Sequence, residues 1–173
     1  MTGLSIYRKA AIALARITVG WVFLYAGLEK FFGATPFTAV GFLKFGTIGT
    51  TAAKVADGTI VNPTHPFWVS IAGNGTLMPI VNTLVVFGEL AIGVALILGI
   101  ATRFASVMGA LMMVLFWIAS WDFALGVVEY HAVLAIVTLA LGIIGAGEVF
   151  GLDAIVDQTP MVKRAPVLRY VLS

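Results

Sequence analysis

The sequence predicts an all-α membrane protein, a polytopic four-helix bundle with a long extracytoplasmic loop between its first and second helices. Three observations carry that prediction. Of 173 residues, 61% are hydrophobic and only 10% are charged, and mean hydropathy is +1.07, whereas a soluble domain carries about 25% charged residues. Four apolar segments are long enough, at about 1.5 Å rise per residue, to cross a hydrocarbon core of roughly 30 Å. The basic residues gather on one side of those segments. Barrel strands would be shorter and would alternate in polarity, which these segments do not.

The spans fall at about 10–32, 79–102, 104–121 and 127–146 of a single domain covering 1–173. In lipid the backbone must satisfy its own hydrogen bonds, and helices of this length do so. Spans two and three meet almost directly at Arg103, which predicts a tight antiparallel hairpin, and residues 122–126 make another short turn. Arg8, Lys9, Arg16, Arg103, Lys163, Arg164 and Arg169 lie on one side, and Lys30, Lys44 and Lys54 on the other. Positive charge stays inside. Both termini, with the tail 147–173, are therefore expected in the cytoplasm of a multi-pass protein of the cell membrane. The first apolar run is long, carries Arg16 and ends in Glu29-Lys30 without a small-x-small site, so it reads as a retained span rather than a cleaved signal.

The outer loop, 33–78, is long for a compact protein. Phe37, Val40, Phe42, Leu43, Phe45 and Ile48 are expected to form a helix lying at the interface. Residues 64–69 read as a second anchor, with Trp68 at headgroup depth. Together they would form a lid over the outer mouth, as plain packing or as the wall of a substrate pocket. Asn74-Gly75-Thr76 matches a glycosylation sequon, a pattern short enough to arise by chance.

Other chemistries are excluded or unsupported. There are no cysteines, so these residues make no disulfide, thiolate metal site or thiol redox centre. A net charge of +2 with no dense basic patch argues against nucleic acid. No phosphate loop, dinucleotide fingerprint or Ser/His/Asp arrangement is present. The two histidines, His65 and His131, lack ligand spacing, so no metal site is expected.

Glu89 is the most informative residue, a carboxylate near the middle of the second apolar run. A charge at that depth is expensive and must face the protein interior with a partner. Lys30, at the outer end of span one, can reach it with a flexible stem, and Arg16 is the alternative from the inner half. A protonated, hydrogen-bonded Glu89 is a third arrangement. The pair either moves protons or simply sets how two helices pack. Glu29, Asp122, Glu129 and His131 are expected near the same outer level, with His131 as a second proton-handling candidate. Trp117, Trp121 and Phe123 fit an interfacial aromatic belt. Gly88, Gly93, Gly99, Gly109, Gly142 and Gly145 read as close-packing positions between helices.

Three motifs in order then carry a resemblance: Arg16-Ile-Thr-Val-Gly20-Trp-Val-Phe-Leu-Tyr-Ala-Gly27-Leu-Glu-Lys30, Gly88-Glu89-Leu-Ala-Ile-Gly93-Val-Ala-Leu-Ile-Leu-Gly99-Ile-Ala-Thr-Arg103, and Gly145-Ala-Gly147-Glu-Val-Phe-Gly-Leu152-Asp153. From Arg16 to Asp153 the chain resembles the DoxX/DoxD family of small four-helix membrane proteins. The resemblance implies a four-helix bundle and, for some members, the membrane subunit of a thiosulfate–quinone oxidoreductase. It makes Arg16, Lys30, Glu89 and Arg103 candidates for a shared site, and implies other membrane or redox subunits as partners, since no soluble domain here could hold a flavin or metal centre.

The resulting expectation is a membrane subunit of quinone-linked oxidoreduction. Glu89 and His131 act on protons, Lys30, Arg16 and Arg103 bind charged groups, quinone is the lipid-soluble reactant, and no cofactor is held within the chain. The alternative is a non-enzymatic scaffold or assembly subunit, which a homo-oligomer would also suit; a carrier for a small hydrophobic molecule is a weaker third, since no internal repeat marks an alternating-access transporter. The topology is directly testable because there are no native cysteines. In intact cells, Thr76→Cys should react with a membrane-impermeant maleimide and Ser173→Cys should not. The reverse pattern would invert the assigned orientation.

Overall fold

Among the residues that the computed structural model describes (5–48, 62–121, 129–160, 162 and 172), the chain is helical and contains no strand. Three helices are long and apolar enough to cross a membrane: α1 (Ile6–Phe31), then, after the short α2 (His65–Ala72), α3 (Leu77–Leu98) and α4 (Thr102–Ser120). A fourth apolar helix, α5 (Tyr130–Ile143), has 14 residues, or roughly 21 Å at the α-helical rise. One π-helical turn (Phe42–Gly46), a 3₁₀ turn (Ala146–Glu148) and α6 (Asp153–Val156) complete the order.

The helix ends depart from the hydrophobic run lengths for local reasons. α3 stops at Leu98, four residues short of the expected limit, because Gly99 takes a left-handed conformation, φ +66°. The N–H of Ile100 then reaches back to Ala95 O at 3.0 Å and that of Gly99 to Leu96 O at 3.2 Å, closing the helix end with the paired bonds of a Schellman motif. α5 ends at Ile143 and Gly145 (φ +64°) turns the chain. Gly145 is thus a turn residue rather than the packing position expected for it, whereas Gly99 is both, because a β-carbon there would also run into the Arg16 guanidinium and the Gly151 backbone.

The helices associate in two close pairs, α1 with α3 and α4 with α5. A β-carbon on Gly93 would stand 2.5 Å from Leu24 N, one on Gly20 would stand 2.9 Å from Ile97 N, and one on Gly27 would stand 2.9 Å from Leu90 N. The two backbones therefore touch without intervening side chains, the usual way small residues drive helix contact in lipid. Gly142 packs against the side chain of Ser106, and Gly109 sits against Ile92, Thr138 and Phe23. Phe23, Ile92, Leu96, Met113, Leu134 and Leu141 fill the space between the pairs. Leu14, Trp21, Leu84, Leu111 and Ile136 stay exposed, as faces turned to hydrocarbon require.

α3 and α4 are joined by only three residues, yet touch over part of their length and leave a cavity between them. The tight hairpin expected from sequence is tight at its turn alone. The segment between α1 and α2 packs with α2 across the ends of α3 and α4: Ala39 and Leu43 are buried with Ala72 and Met78, backed by Phe37, Val40 and Trp68. The helix expected there is a single π turn that buries Leu43 and exposes Phe45. Trp68 is half-buried, donating from Nε1 to Thr64 Oγ1 at 2.8 Å. Asn74 Oδ1 accepts from the N–H groups of Thr76 and Leu77, each at 3.0 Å, so the sequon asparagine caps the start of α3. Trp117 and Trp121 stack with ring centroids 5.4 Å apart. Asp122, Phe123 and the 122–126 turn lie outside the described residues, as do Lys54 and, in the tail, residues 161, 163–171 and 173.

Two glycines in α3 give a controlled test of this packing. Gly93→Ala forces a methyl group into the Leu24 backbone and should lower stability by about 1–3 kcal/mol. Gly88→Ala meets only the mobile end of Met112 and should stay within about 0.5 kcal/mol of wild type. Unfolding in mild detergent, followed by circular dichroism, measures both.

Candidate functional site

The close contact of α1 with α3 sets their register, and at one end of the pair that register places Lys30 over Glu89. Lys30 Nζ donates to Glu89 Oε1 at 2.9 Å and Oε2 at 2.8 Å, and to Ala26 O at 3.2 Å. The Glu89 side chain is 3% exposed and that of Lys30 25%. The carboxylate is thus enclosed while the lysine stem runs outward, the arrangement by which a long cation serves a buried anion. The ring of Phe37 lies 5.7 Å from the ammonium, a cation–π contact that further screens it. Beside the pair opens a cavity of about 440 Å³ lined by Lys30, Phe31, Pro36, Phe37, Asn82 and Phe87, among others. Asn82 Oδ1 accepts from Ala39 N at 2.9 Å, tying the segment after α1 to the cavity wall.

His131 belongs to a different cluster. Its Nδ1 lies 2.8 Å from Glu129 Oε1, and Ser120 Oγ donates to Glu129 Oε2 at 3.3 Å. Phe116 and Tyr130 meet the imidazole edge-on, with centroids 5.9 and 5.4 Å away. The carboxylate thus engages Nδ1 of the ring. His65 is separate from both clusters: its Nδ1 is 2.6 Å from Thr47 Oγ1, and both residues are buried. The two histidines therefore have different partners, and no group of three or more His, Asp or Glu suited to a metal ion occurs among the described residues.

Arg16 does not partner Glu89. It stands 14 positions before Lys30 in the same helix, roughly 21 Å along the axis. It is 1% exposed and donates from Nη1 to Ala146 O at 3.0 Å and from Nη2 to Phe150 O at 3.4 Å. Asp153, fully buried, faces the same node. Its Oδ1 accepts from Ala101 N at 2.7 Å and its Oδ2 from Thr102 N at 3.0 Å. A carboxylate there satisfies the orphan N–H groups of α4 and meets the positive end of its dipole. In return Asp153 N donates to Gly99 O at 2.8 Å and Leu152 N to Leu98 O at 3.1 Å. The segment after α5 thus caps both helix ends of the 99–101 turn. Gly99, Gly147 and Gly151 leave the room that Arg16 and Asp153 occupy.

Arg103, in the first turn of α4, receives no place beside Glu89 either; its backbone N–H donates to Leu172 O at 2.8 Å. The four candidates for one shared site are therefore divided between two levels, Lys30 with Glu89 and Arg16 with Arg103. Asp153 and Glu129 are the organising residues that spacing alone did not single out. For Asp153 the available signal was a carboxylate directly after a glycine-rich turn; for Glu129 it was the i, i+2 placement of an acid and a histidine at a helix start.

A family model described as DoxX matches residues 11–121. The matched stretch includes Arg16, Lys30, Glu89 and Arg103, and stops before Glu129, His131 and Asp153. No match was found among curated proteins or among solved structures.

Removing one charge of the Lys30–Glu89 pair leaves the other buried without a partner. Lys30→Met should therefore destabilise the protein by about 3 kcal/mol, whereas the double variant Lys30→Met/Glu89→Leu should recover most of that loss. Chemical unfolding of the two single variants and the double variant in detergent gives the coupling directly. Additive losses would mean that the pair contributes no net interaction.

Proposed function

From the premise that the chain belongs to the DoxX family, we propose that it is an integral membrane subunit of quinone-linked oxidoreduction, built as a four-helix bundle. Thiosulfate is the best-known substrate associated with the family resemblance and is the first donor to test. The observation that carries the reading is the enclosed Lys30–Glu89 pair beside an open cavity at one end of α1 and α3. Intramembrane ionisable pairs are costly and mark ion, proton or ligand sites. Reduction of a quinone to a quinol takes up two electrons and two protons. The electrons come from a donor oxidised on a partner subunit, and this chain's residues manage protons and charge. Glu89 passes a proton toward the cavity, Lys30 holds the carboxylate in place and offers positive charge to a developing oxyanion, and the Glu129–His131 dyad exchanges protons nearer the surface. Arg16 and Arg103 support the opposite end.

A scaffold reading is favoured by the same pair seen as a register device, since it locks α1 to α3 without any turnover. Purification in mild detergent followed by charge substitution separates the two, because a scaffold brings stoichiometric partners, shows no activity alone, and leaves the activity of its complex unchanged when its own charges are altered. On the redox reading, Glu89→Gln should reduce quinone-coupled turnover of the assembled complex by about 10²-fold or more, while the protein still inserts and binds its partners. Unchanged turnover would remove Glu89 from the chemistry and leave the scaffold.

A further inference from the structure

The cavity between α3 and α4 is a second, chemically distinct site. It measures about 490 Å³ and is lined by Leu84, Gly88, Ala91, Met108, Leu111 and Leu115 along its length, with Phe42, Leu43 and Trp68 across one end. We propose that it holds one acyl chain of an anionic glycerophospholipid, retained as a fixed part of the protein, with the phosphate beside Lys44.

Shape comes first. Along α3 the lining runs from Val81 to Ile92, about 16 Å of helix axis, and half of a roughly 30 Å hydrocarbon core is about 15 Å. The slot is therefore as long as one leaflet is deep. A methylene takes up about the volume of a liquid water, roughly 30 Å³, so the cavity accommodates on the order of sixteen of them. That is about the size of a single chain.

Access and charge select the lipid. Leu84, Leu111 and Leu115 are 63%, 50% and 46% exposed, so the slot opens sideways along two helices long enough to cross a membrane, where chains of lipid are the surrounding medium. Its floor is Gly88, against which the methyl end of Met112 packs. Transfer of a chain from bilayer to slot gains no hydrophobic energy, because lipid is already apolar. Retention must come from close packing on several sides and from the headgroup. At the closed end Lys44, exposed, directly follows the lining residue Leu43 in the same turn. Its ammonium is the one lysine in that turn, and a phosphate diester is the anion that a chain seated in the slot would bring to it.

The test uses the full chain reconstituted into vesicles of equal parts phosphatidylglycerol and phosphatidylcholine, solubilised in mild detergent and weighed by native mass spectrometry. Wild type should retain one phosphatidylglycerol per chain. Ala91→Trp, which fills the slot, should lower the retained fraction about tenfold. Lys44→Glu alters an exposed residue and leaves the packing intact, and should lower it about threefold and abolish the preference for phosphatidylglycerol. Circular dichroism confirms that both variants fold. Loss of bound phosphatidylglycerol in Lys44→Glu supports the proposal even where Ala91→Trp does not fold. Absence of lipid from wild type, equal retention in wild type and Lys44→Glu, an isoprenoid lipid, or a second copy of the chain in place of the phospholipid would each overturn it.

Discussion

The contact on which the rest depends is the approach of α1 to α3 through Gly20, Gly27 and Gly93. In lipid, apolar burial alone gives helices no reason to associate, so the gain comes from atoms packed closely along two touching backbones. That closeness fixes register to within a residue, and register decides which polar groups meet. Lys30 falls over Glu89 at one end, and Arg16 falls beside Gly99 at the other. A side chain at Gly93 would push the helices apart and separate both sets together.

Each polar set solves the same desolvation problem differently. Glu89 is served by a cation whose stem reaches outward, leaving an ion pair next to an open cavity. Asp153 is served mainly by backbone N–H groups at the start of α4, with Arg16 as the balancing charge and carbonyl oxygens receiving the guanidinium. The second arrangement locks a turn between two helices and leaves little to react. The first keeps a carboxylate, held by a cavity-lining lysine, beside space that a small molecule can enter, and this rather than depth of burial distinguishes Glu89 from the equally buried Arg16.

Run length and charge made the apolar helices legible, because hydrocarbon thickness imposes a minimum length and water imposes charge elsewhere. Glu89 stood out for the same reason, as an expensive residue in a run that otherwise pays nothing. The division of the polar residues into two levels was not legible: Arg16 and Lys30 are both basic residues of one apolar helix, and only the register of α1 against α3 separates what they touch. Gly93 and Gly99 look alike as residues, yet one removes a side chain from a helix contact and the other supplies a positive φ that ends the helix. The spacing of Phe42, Leu43 and Phe45 predicts a helical turn, while its π form and the burial of Leu43 with Ala72 and Met78 belong to contacts with segments far along the chain.

By itself the sequence determined membership of the apolar, helical class and the presence of a costly intramembrane carboxylate, because both follow from transfer energies that act on each segment separately. Only the tertiary structure decided that Lys30 and not Arg16 partners that carboxylate, that Asp153 caps the 99–101 turn, and that α3 and α4 leave a slot between them. Those outcomes depend on register and on contacts between distant segments. Close backbone packing sets them, and no single segment contains that information.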